Sequence, residues 1–215
     1  MSIFKPIVYR QHYIEDVEIH LWQLTENLED LCGLLSDGSI LAKEPYITFK
    51  SDKRKREWVA VRVLLEQVCS QTVAICYEQS GKPYLNPRIA NFSVSHTKDV
   101  VGIALSKQPI GIDLEQISER PLRLASHFIN PNDSSPIYAP DPELMATFMW
   151  SAKESVYKLL GVPGIELFAD IYLKLSFEDK DYIEFLSQVP RLQKQSIVRC
   201  YRCGTFVLTI ATFLN

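Results

Sequence analysis

Residues 92–115 read FSVSHTKDVVGIALSKQPIGIDLE, a stretch of three short apolar runs separated by two polar connections. The runs cover residues 92–95, 100–105 and 110–114. Short apolar runs broken in this way predict a β-meander. We therefore expect sheet structure in the middle of the chain, and the remaining elements can be placed on either side of it.

Upstream of the meander the sequence predicts two helices between strands. Residues 19–24 alternate with period two, which predicts a strand. Thr25 is then the expected cap of a short helix that ends before Gly38. Apolar side chains recur at helical spacing over residues 51–70 and predict a second helix. Residues 72–77 are β-branched and apolar, which favours a further strand.

Downstream of the meander the sequence predicts a loop, one long helix and a set of strands. Residues 118–142 carry five prolines, so we expect mostly loop there, with one short helical stretch near 122–129. Asp141 with Pro142 suits a helix start and Gly161 suits its end. Antiparallel strands are expected near residues 171–177, 196–201 and 205–212. Helices and strands on both sides of the meander predict an α+β fold.

The composition is that of a soluble globular protein. The chain has 215 residues, 47% of them hydrophobic and 23% charged, and a net charge of −3. A chain with this charge is not expected to bind polyanions over its whole surface. Five scattered cysteines and the lack of a secretory leader favour reduced thiols and a cytoplasmic location. We also expect no membrane span, since no apolar run approaches ~18 residues.

Two carboxylates lie on one side of the last predicted strand of the meander. Because side chains alternate along a strand, Asp113 and Glu115 share a face. Two carboxylates spaced in this way can hold one Mg²⁺ together with substrate phosphates. Taken alone, such a pair more often forms only the solvated face of an edge strand.

The long helix carries a second charged pair. Glu154 and Lys158 are four residues apart and lie on the same side of the helix as Trp150. A surface ion pair would be one explanation. Burial of the pair beside an aromatic ring would be another, and buried charges usually have a metal or ligand to compensate them.

The remaining polar signals are weaker. Ser95 and His96 are neighbours on a predicted strand, so their side chains diverge and do not suit a serine hydrolase, but His96 can still donate a hydrogen bond to a phosphate. The basic run at residues 53–56 is typical of a solvated helix face. A nucleic-acid module would need aromatics interleaved with a wider basic surface, which this chain lacks.

Taken in order, four segments resemble the motifs of the 4′-phosphopantetheinyl transferases, in the larger, surfactin-synthetase-activating (Sfp-like) type of that family. A fifth segment, 55–62, is similar to the family's weaker upstream helix motif. The four segments are Gly81-Lys-Pro83, residues 92–96, residues 111–115 and residues 150–158. Each segment alone is unspecific, whereas the ordered set is specific.

This resemblance implies transfer of the 4′-phosphopantetheine arm of coenzyme A to a serine of an apo acyl or peptidyl carrier protein. Adenosine 3′,5′-bisphosphate is released, and the reaction requires Mg²⁺. The resemblance also implies that Asp113, Glu115 and Glu154 are the metal ligands, that Glu154 or a metal-bound water accepts the serine proton, and that Lys158 stabilises the departing phosphate. The rival hypothesis is an altered paralogue that binds coenzyme A or a carrier protein without transfer.

By the same resemblance, coenzyme A is contacted by a further set of side chains, with Arg54 and Arg62 as alternatives to the first of them. The set is Arg56, Lys82, Ser95 and His96. Many relatives carry Gly-Lys-Gly after the long helix, where this chain has Gly-Val-Pro-Gly at residues 161–164. A phosphate contact from that loop is therefore not expected here.

The resemblance finally implies two similar α+β halves around a pseudo-twofold axis, with the active site in the cleft between them. The boundary would separate residues 1–107, on the coenzyme side, from residues 108–215, which carry the metal ligands and the catalytic helix. Because both halves belong to one chain, we expect a monomer to be sufficient.

Overall fold

The computed structural model describes residues 16–43, 45–134 and 140–214. Short 3₁₀ helices occur in several connections. In chain order the main elements are β1 (Val17–Gln23), α1 (Leu28–Gly33), α2 (Asp52–Val68), β2 (Ala74–Tyr77), β3 (Pro83–Asn86), β4 (Asn91–Thr97), β5 (Val100–Ser106), β6 (Ile110–Gln116), α3 (Glu119–Arg123), α4 (Pro142–Leu160), β7 (Tyr172–Glu178), β8 (Ile183–Val189), β9 (Lys194–Cys203) and β10 (Phe206–Phe213).

A three-stranded antiparallel sheet, in the order β1-β5-β4, forms the first layer with α2. Helix α2 buries Trp58, Val59 and Leu64 in the same cluster as Trp22 of β1 and Val101 of β5. The helix covers one face of the sheet because its apolar residues recur on the side that meets the strands. Strands β2 and β3 form a separate hairpin beside this layer.

A five-stranded antiparallel sheet, in the order β6-β10-β9-β8-β7, forms the second layer with α4. Met149, Ala152 and Val156 of α4 pack in one cluster with Phe185 of β8 and Val198 of β9. A third cluster joins the two sheets, since it contains residues of β1 and β5 together with residues of β6, β9 and β10. The predicted α+β class is confirmed. The pseudo-twofold relation and the boundary after residue 107 stay predictions.

The predicted meander is correct for β4 and β5 but wrong for β6. Both edges of β5 are already paired, one with β1 and the other with β4, so β6 cannot pair with β5 as a meander requires. Strand β6 pairs with β10 instead. It nevertheless stays beside β4, because the hydroxyls of Ser93 and Ser95 accept hydrogen bonds from the backbone N–H groups of Ile112 and Leu114. Two serine side chains therefore connect the sheets at the strand that carries Asp113.

The ends of the two long helices follow their capping residues. Ser51 accepts a hydrogen bond from the N–H of Arg54, and Asp141 accepts one from that of Leu144. Gly161 ends α4 in the left-handed conformation, with φ of 60°. Strong caps explain why both helices lie within two residues of their predicted bounds.

The sequence-based prediction fails for weaker signals. Helix α1 begins after Asn27 rather than Thr25, because the Asn27 side chain accepts a hydrogen bond from Asp30 N–H. The predicted helical stretch at 122–129 is helical in two pieces, the end of α3 at Arg123 and a 3₁₀ helix at Ala125–His127, so only its bounds and its continuity are wrong. Strands β3 and β8 were not predicted, and of the predicted loop at 118–142, residues 135–139 lie outside the described residues. No helix in the described ranges is long and apolar enough to cross a membrane.

Candidate active site

The carboxylate of Asp113 is the centre of the candidate site, and three side chains from two elements donate hydrogen bonds to it. Its Oδ1 atom accepts from the hydroxyl of Ser95 on β4 at 2.9 Å and from Nζ of Lys158 on α4 at 2.7 Å. Its Oδ2 atom accepts from the hydroxyl of Ser151 on α4 at 2.8 Å. Asp113 is 6% exposed, so these donors compensate a buried negative charge.

Helix α4 reaches Asp113 because β6 has no side chain where the two elements cross. A Cβ atom at Gly111 would overlap the backbone of Ser155 and Leu159. The glycine is therefore needed for close approach of the helix, rather than for an unusual backbone conformation. This approach brings Ser151 and Lys158 of α4 within hydrogen-bond distance of Asp113, two residues along β6.

Glu115 and Glu154 provide further negative charge around Asp113. Burial raises the pKa of both glutamates above the usual range, and the charge of Asp113 raises it further. Arg120 and a hydrogen bond with Trp150 oppose this increase in the pKa of Glu115, whereas Lys158 opposes it for Glu154. The raised pKa values indicate an excess of negative charge that a bound cation would offset.

Three carboxylates have the donor chemistry of a Mg²⁺ site. Magnesium prefers oxygen ligands and commonly takes only one or two carboxylates, with water and substrate phosphates completing its shell. In the described ranges, no three His, Cys, Asp or Glu side chains are arranged to hold a metal ion. The three carboxylates thus suit Mg²⁺ by their chemistry and charge, although their arrangement in the described structure does not by itself form a three-ligand metal site.

A cavity of about 430 Å³ connects this acidic group to α2. Its acidic end is formed by Asp113, Glu115 and Glu154, and Lys158 lies beside them. Most of the remaining lining, called here the basic wall, combines cationic, aromatic, apolar and hydroxyl side chains from α2, β2, β3 and β4, together with one carboxylate. These residues are Arg54, Glu57, Trp58, Val61, Arg62, Ile75, Tyr77, Pro83, Val94, Ser95 and His96. The cavity thus has a carboxylate end suited to a cation and a basic, aromatic wall suited to anions and rings.

His96 lies between an arginine and a glutamate on this wall. Nη1 of Arg54 is 2.9 Å from Nε2 of His96, and Oε1 of Glu57 is 3.4 Å from Nδ1. A guanidinium can only donate, so Nε2 accepts and we assign the ring proton to Nδ1, facing Glu57. Burial lowers the pKa of His96 below its usual range; Glu57 opposes this, and Arg54, Lys158 and Lys53 add to it. His96 is therefore neutral near pH 7.

Arg62 is a buried cation at the same wall. Its guanidinium lies 3.3 Å from the centre of the Trp58 ring and donates a hydrogen bond to the Trp58 carbonyl. Burial lowers the pKa of Arg62 to about 10, and Tyr77 opposes this shift. No carboxylate of the described ranges forms an ion pair with it. An anionic ligand in the cavity would supply the missing counter-charge.

The structure places two of the predicted coenzyme contacts away from this cavity. Nε of Arg56 donates to the carbonyl of Glu26, and its guanidinium lies 3.7 Å from Asp99. Nζ of Lys82 donates to the carbonyl of Leu159 at the end of α4, at 2.6 Å. Lys82 therefore acts on the helix terminus, where a cation is favourable, and neither residue lines the cavity. Ser95 and His96 do line it, and Arg54 and Arg62 are the arginines that do so.

Comparison with known proteins finds the same superfamily in the second part of the chain. Residues 109–211 match the model of the 4′-phosphopantetheinyl transferase superfamily. The resemblance to that superfamily is confirmed. The family model and the curated relatives are those of 4′-phosphopantetheinyl transferases, which is the enzyme class expected from the sequence.

Three relatives illustrate the extent of the match, and two of them support the Sfp-like type by name. A 4′-phosphopantetheinyl transferase of Bacillus subtilis is 27% identical over 58% of this chain and 55% of its own. The 4′-phosphopantetheinyl transferase gsp of Aneurinibacillus migulanus is 34% identical over 38% of this chain and 35% of its own. The transferase Sfp of Bacillus subtilis (strain 168) is 31% identical over 49% of each. The chain thus spans about half the length of its relatives, or less.

Several residues of the site were not predicted from the sequence to belong to it. Glu57 and Trp58 lie in the helix motif, but nothing in helical spacing distinguishes cavity residues from core residues there. Ser151 and Thr209 are buried around Asp113. The one signal for Thr209 was a hydroxyl inside an otherwise apolar strand, and that signal is common in proteins without any site.

Proposed function

We propose that this protein transfers the 4′-phosphopantetheine arm of coenzyme A to a serine of an apo carrier protein, with Mg²⁺, and releases adenosine 3′,5′-bisphosphate. The observation that carries the proposal is the cavity itself. Its lining includes Asp113, Glu115, Glu154 and Lys158 together with Arg62, which has no carboxylate partner among the described residues. A pyrophosphate with a separate terminal phosphate needs both a metal end and a cationic wall.

The chemical step follows from the residues at the acidic end. Asp113, Glu115 and Glu154 would hold Mg²⁺, which supplies neutralisation of the pyrophosphate charge. The serine oxygen forms a bond to the β-phosphorus, and the bond from that phosphorus to the oxygen bridging to the α-phosphate breaks. Glu154 takes the serine proton, directly or through water.

Lys158 has two partners before reaction and a third during it. Its Nζ atom lies 2.7 Å from Asp113 and 2.9 Å from Ser95. An ammonium has three protons to donate, so one remains for the phosphate that leaves as negative charge develops on it. Loss of a positioned donor of this kind commonly lowers kcat by ~10² to 10³.

The coenzyme's terminal 3′-phosphate is assigned to the basic wall. Arg62 and Arg54 are the arginines at the cavity, whereas Arg56 is directed to Glu26 and Asp99. The adenine ring would lie against the aromatic and apolar side chains of the same wall. The two halves of the chain complete the cavity together, so a monomer suffices, and reduced cysteines suit action in the cytoplasm.

The test is mass spectrometry of an apo acyl carrier protein incubated with this protein, coenzyme A and Mg²⁺. We expect a gain of one phosphopantetheine group per carrier, and loss of that gain with Asp113→Ala or with EDTA. Apo peptidyl carrier proteins serve as parallel substrates. Coenzyme A binding without transfer to either carrier type would contradict the proposal and favour a paralogue that only binds.

A further inference from the structure

Two buried hydroxyls, Ser151 on α4 and Thr209 on β10, form a second layer behind Asp113. Both residues are fully buried. Thr209 lies directly opposite Asp113 in the ladder of β6 and β10. Its hydroxyl donates to the carbonyl of Ser151 at 2.9 Å and lies 3.0 Å from the Ser151 hydroxyl. The Ser151 hydroxyl in turn donates to Oδ2 of Asp113 at 2.8 Å.

The direction of these hydrogen bonds follows from proton counts. Each hydroxyl has one proton, and the buried carboxylate is the strongest acceptor near Ser151. The Ser151 proton therefore points to Asp113, while the Thr209 proton points to the carbonyl oxygen of Ser151 and so holds Ser151 through its backbone. Asp113 thus has one oxygen held by Ser151 and the other held by Ser95 and Lys158. A carboxylate offers about four lone-pair sites, so these three donors leave one free for a ligand.

Other buried hydroxyls on α4 do not act in this way. Thr147 donates to the carbonyl of Glu143, and Ser155 donates to that of Ala152, so both bond only within their own helix. Ser151 is the one of the three buried hydroxyls on α4 that donates to a side chain of another element. A hydroxyl that served only to satisfy itself would need no carboxylate partner.

We propose that Ser151 and Thr209 are positioning residues that hold the carboxylate of Asp113 in the orientation in which it binds the divalent cation. The proposal rests on the proposed function, because it assumes that Asp113 is a metal ligand. Groups that hydrogen-bond a ligating carboxylate orient it, and removing them typically weakens metal affinity 10- to 100-fold.

The experiment measures binding of Mn²⁺, as a probe for a site of oxygen ligands, by electron paramagnetic resonance in the presence of coenzyme A. Thr209→Val keeps the shape of the side chain but removes the hydroxyl, whereas Thr209→Ser keeps the hydroxyl but removes a methyl group. We expect Thr209→Val to weaken Mn²⁺ binding roughly 10-fold and Thr209→Ser to bind like the wild type. If Thr209 served only in packing, Thr209→Ser, which loses a methyl group, would lower Tm more than Thr209→Val. Neither variant would then change the affinity for Mn²⁺.

A second pair on α4 repeats the test. Ser151→Ala should weaken Mn²⁺ binding by roughly 10- to 100-fold, whereas Ser155→Ala, four residues along the same helix, should leave it unchanged. Circular dichroism shows that each variant is folded before its affinity is compared.

Comparison of the wild-type protein with Asp113→Ala distinguishes a failure of the metal site from a failure of the positioning role. Equal Mn²⁺ binding by these two proteins would contradict the metal site and with it the proposed function. Tighter binding by wild type than by Asp113→Ala, together with wild-type affinity in both Ser151→Ala and Thr209→Val, would overturn only the positioning role.

Discussion

At the scale of single residues, the surroundings of His96 and Arg62 on the basic wall determine whether each side chain is charged. His96 is held between Arg54 and Glu57, and its proton is assigned to the side of Glu57. Arg62 keeps its charge among aromatic and apolar neighbours without a carboxylate partner in the described ranges. Each arrangement leads to a measurable prediction, because the surroundings of a titratable or charged group determine its protonation and its affinity for a ligand.

The pKa of His96 should respond in opposite directions to its two neighbours. Because burial lowers it, NMR titration should give a midpoint below the ordinary value of about 6.5. Glu57→Gln removes a negative charge that raises the pKa, so the midpoint should fall further. Arg54→Met removes a positive charge that lowers it, so the midpoint should rise. Equal midpoints in all three proteins would contradict the assigned network.

The same shift fixes the sign of a pH effect on stability. A histidine whose pKa is lower in the folded state takes up its proton more readily when the chain unfolds. The contribution of His96 is therefore intact above the unfolded pKa of about 6.5 and declines as pH falls below it, towards the folded pKa. The difference in Tm between wild type and His96→Gln should change in this pH range and stay constant above it.

Arg62 and Arg56 form a matched pair for ligand binding. Both lie on α2, but Arg62 lines the cavity and Arg56 does not. Removing one partner of a buried charge pair costs about 2–5 kcal/mol, so Arg62→Met should weaken the binding of adenosine 3′,5′-bisphosphate at least ~10-fold. Isothermal calorimetry should find near wild-type affinity for Arg56→Met. The opposite ranking would assign the phosphate to the residue first expected from the sequence.

At the scale of elements, the contact of α4 with β6 decides whether the acidic end assembles. Gly111 allows this contact, and the buried ion pair of Lys153 with Asp133, at 2.7 Å, attaches α4 to the segment that follows α3. Lys153 also donates to the carbonyls of Leu167 and Ile171. Helix α4 is therefore held by its contact with β6 and by the Lys153–Asp133 ion pair. Both contacts determine the positions of Glu154 and Lys158.

Gly111→Ala should disrupt the site through the backbone. The added methyl group would overlap the backbone of Ser155 and Leu159, which lie within a helix and cannot move independently. Overpacking of this kind costs about 1–3 kcal/mol or more, and displacement of α4 should also lower transfer activity. Gly38→Ala is the control, because a methyl group there meets no atom within 4 Å. Thermal unfolding and transfer rates of the two variants check the prediction, and equal values would contradict it.

The elements also show how far the sequence alone could lead. Helices α2 and α4 were predictable because Ser51, Asp141 and Gly161 are local signals that act through adjacent backbone groups. The pairing of β6 with β10 was not, because it depends on β1 already occupying the second edge of β5. Strand β8 buries every second residue, so its pattern was present, and the prediction overlooked it.

The residues of the candidate site also divide into those that local sequence could predict and those that only the packing of the chain brings together. The order of motifs led to Asp113, Glu154 and Lys158, since residue type and spacing carry that information. It could not distinguish Arg62 from Arg56, because both fit a basic helix and only the packing of the helix decides which of them enters the cavity. Thr209 lies almost a hundred residues from Asp113 in sequence, and only the ladder of β6 and β10 brings them together.

At the scale of the whole molecule, the two sheets and the site share packing and hydrogen bonds. A shared cluster contains Ile19 and Leu21 of β1 together with Leu208 and Ile210 of β10. Serine side chains of β4 bond the backbone of β6, and Lys158 connects α4 to both Ser95 and Asp113. Separation of the halves would expose this cluster and leave a buried carboxylate with fewer donors, so neither half should unfold alone.

The tryptophans allow this to be measured. Trp22 and Trp58 lie in the first layer and Trp150 lies on α4. One variant keeps only Trp58, through Trp22→Phe and Trp150→Phe, and a second keeps only Trp150, through Trp22→Phe and Trp58→Phe. In each variant, fluorescence of the remaining tryptophan and far-UV circular dichroism should give the same urea midpoint, because two-state unfolding makes all probes coincide. A fluorescence transition that precedes the circular dichroism transition in one variant would mean that its layer opens first, and the halves would then be separable folding units.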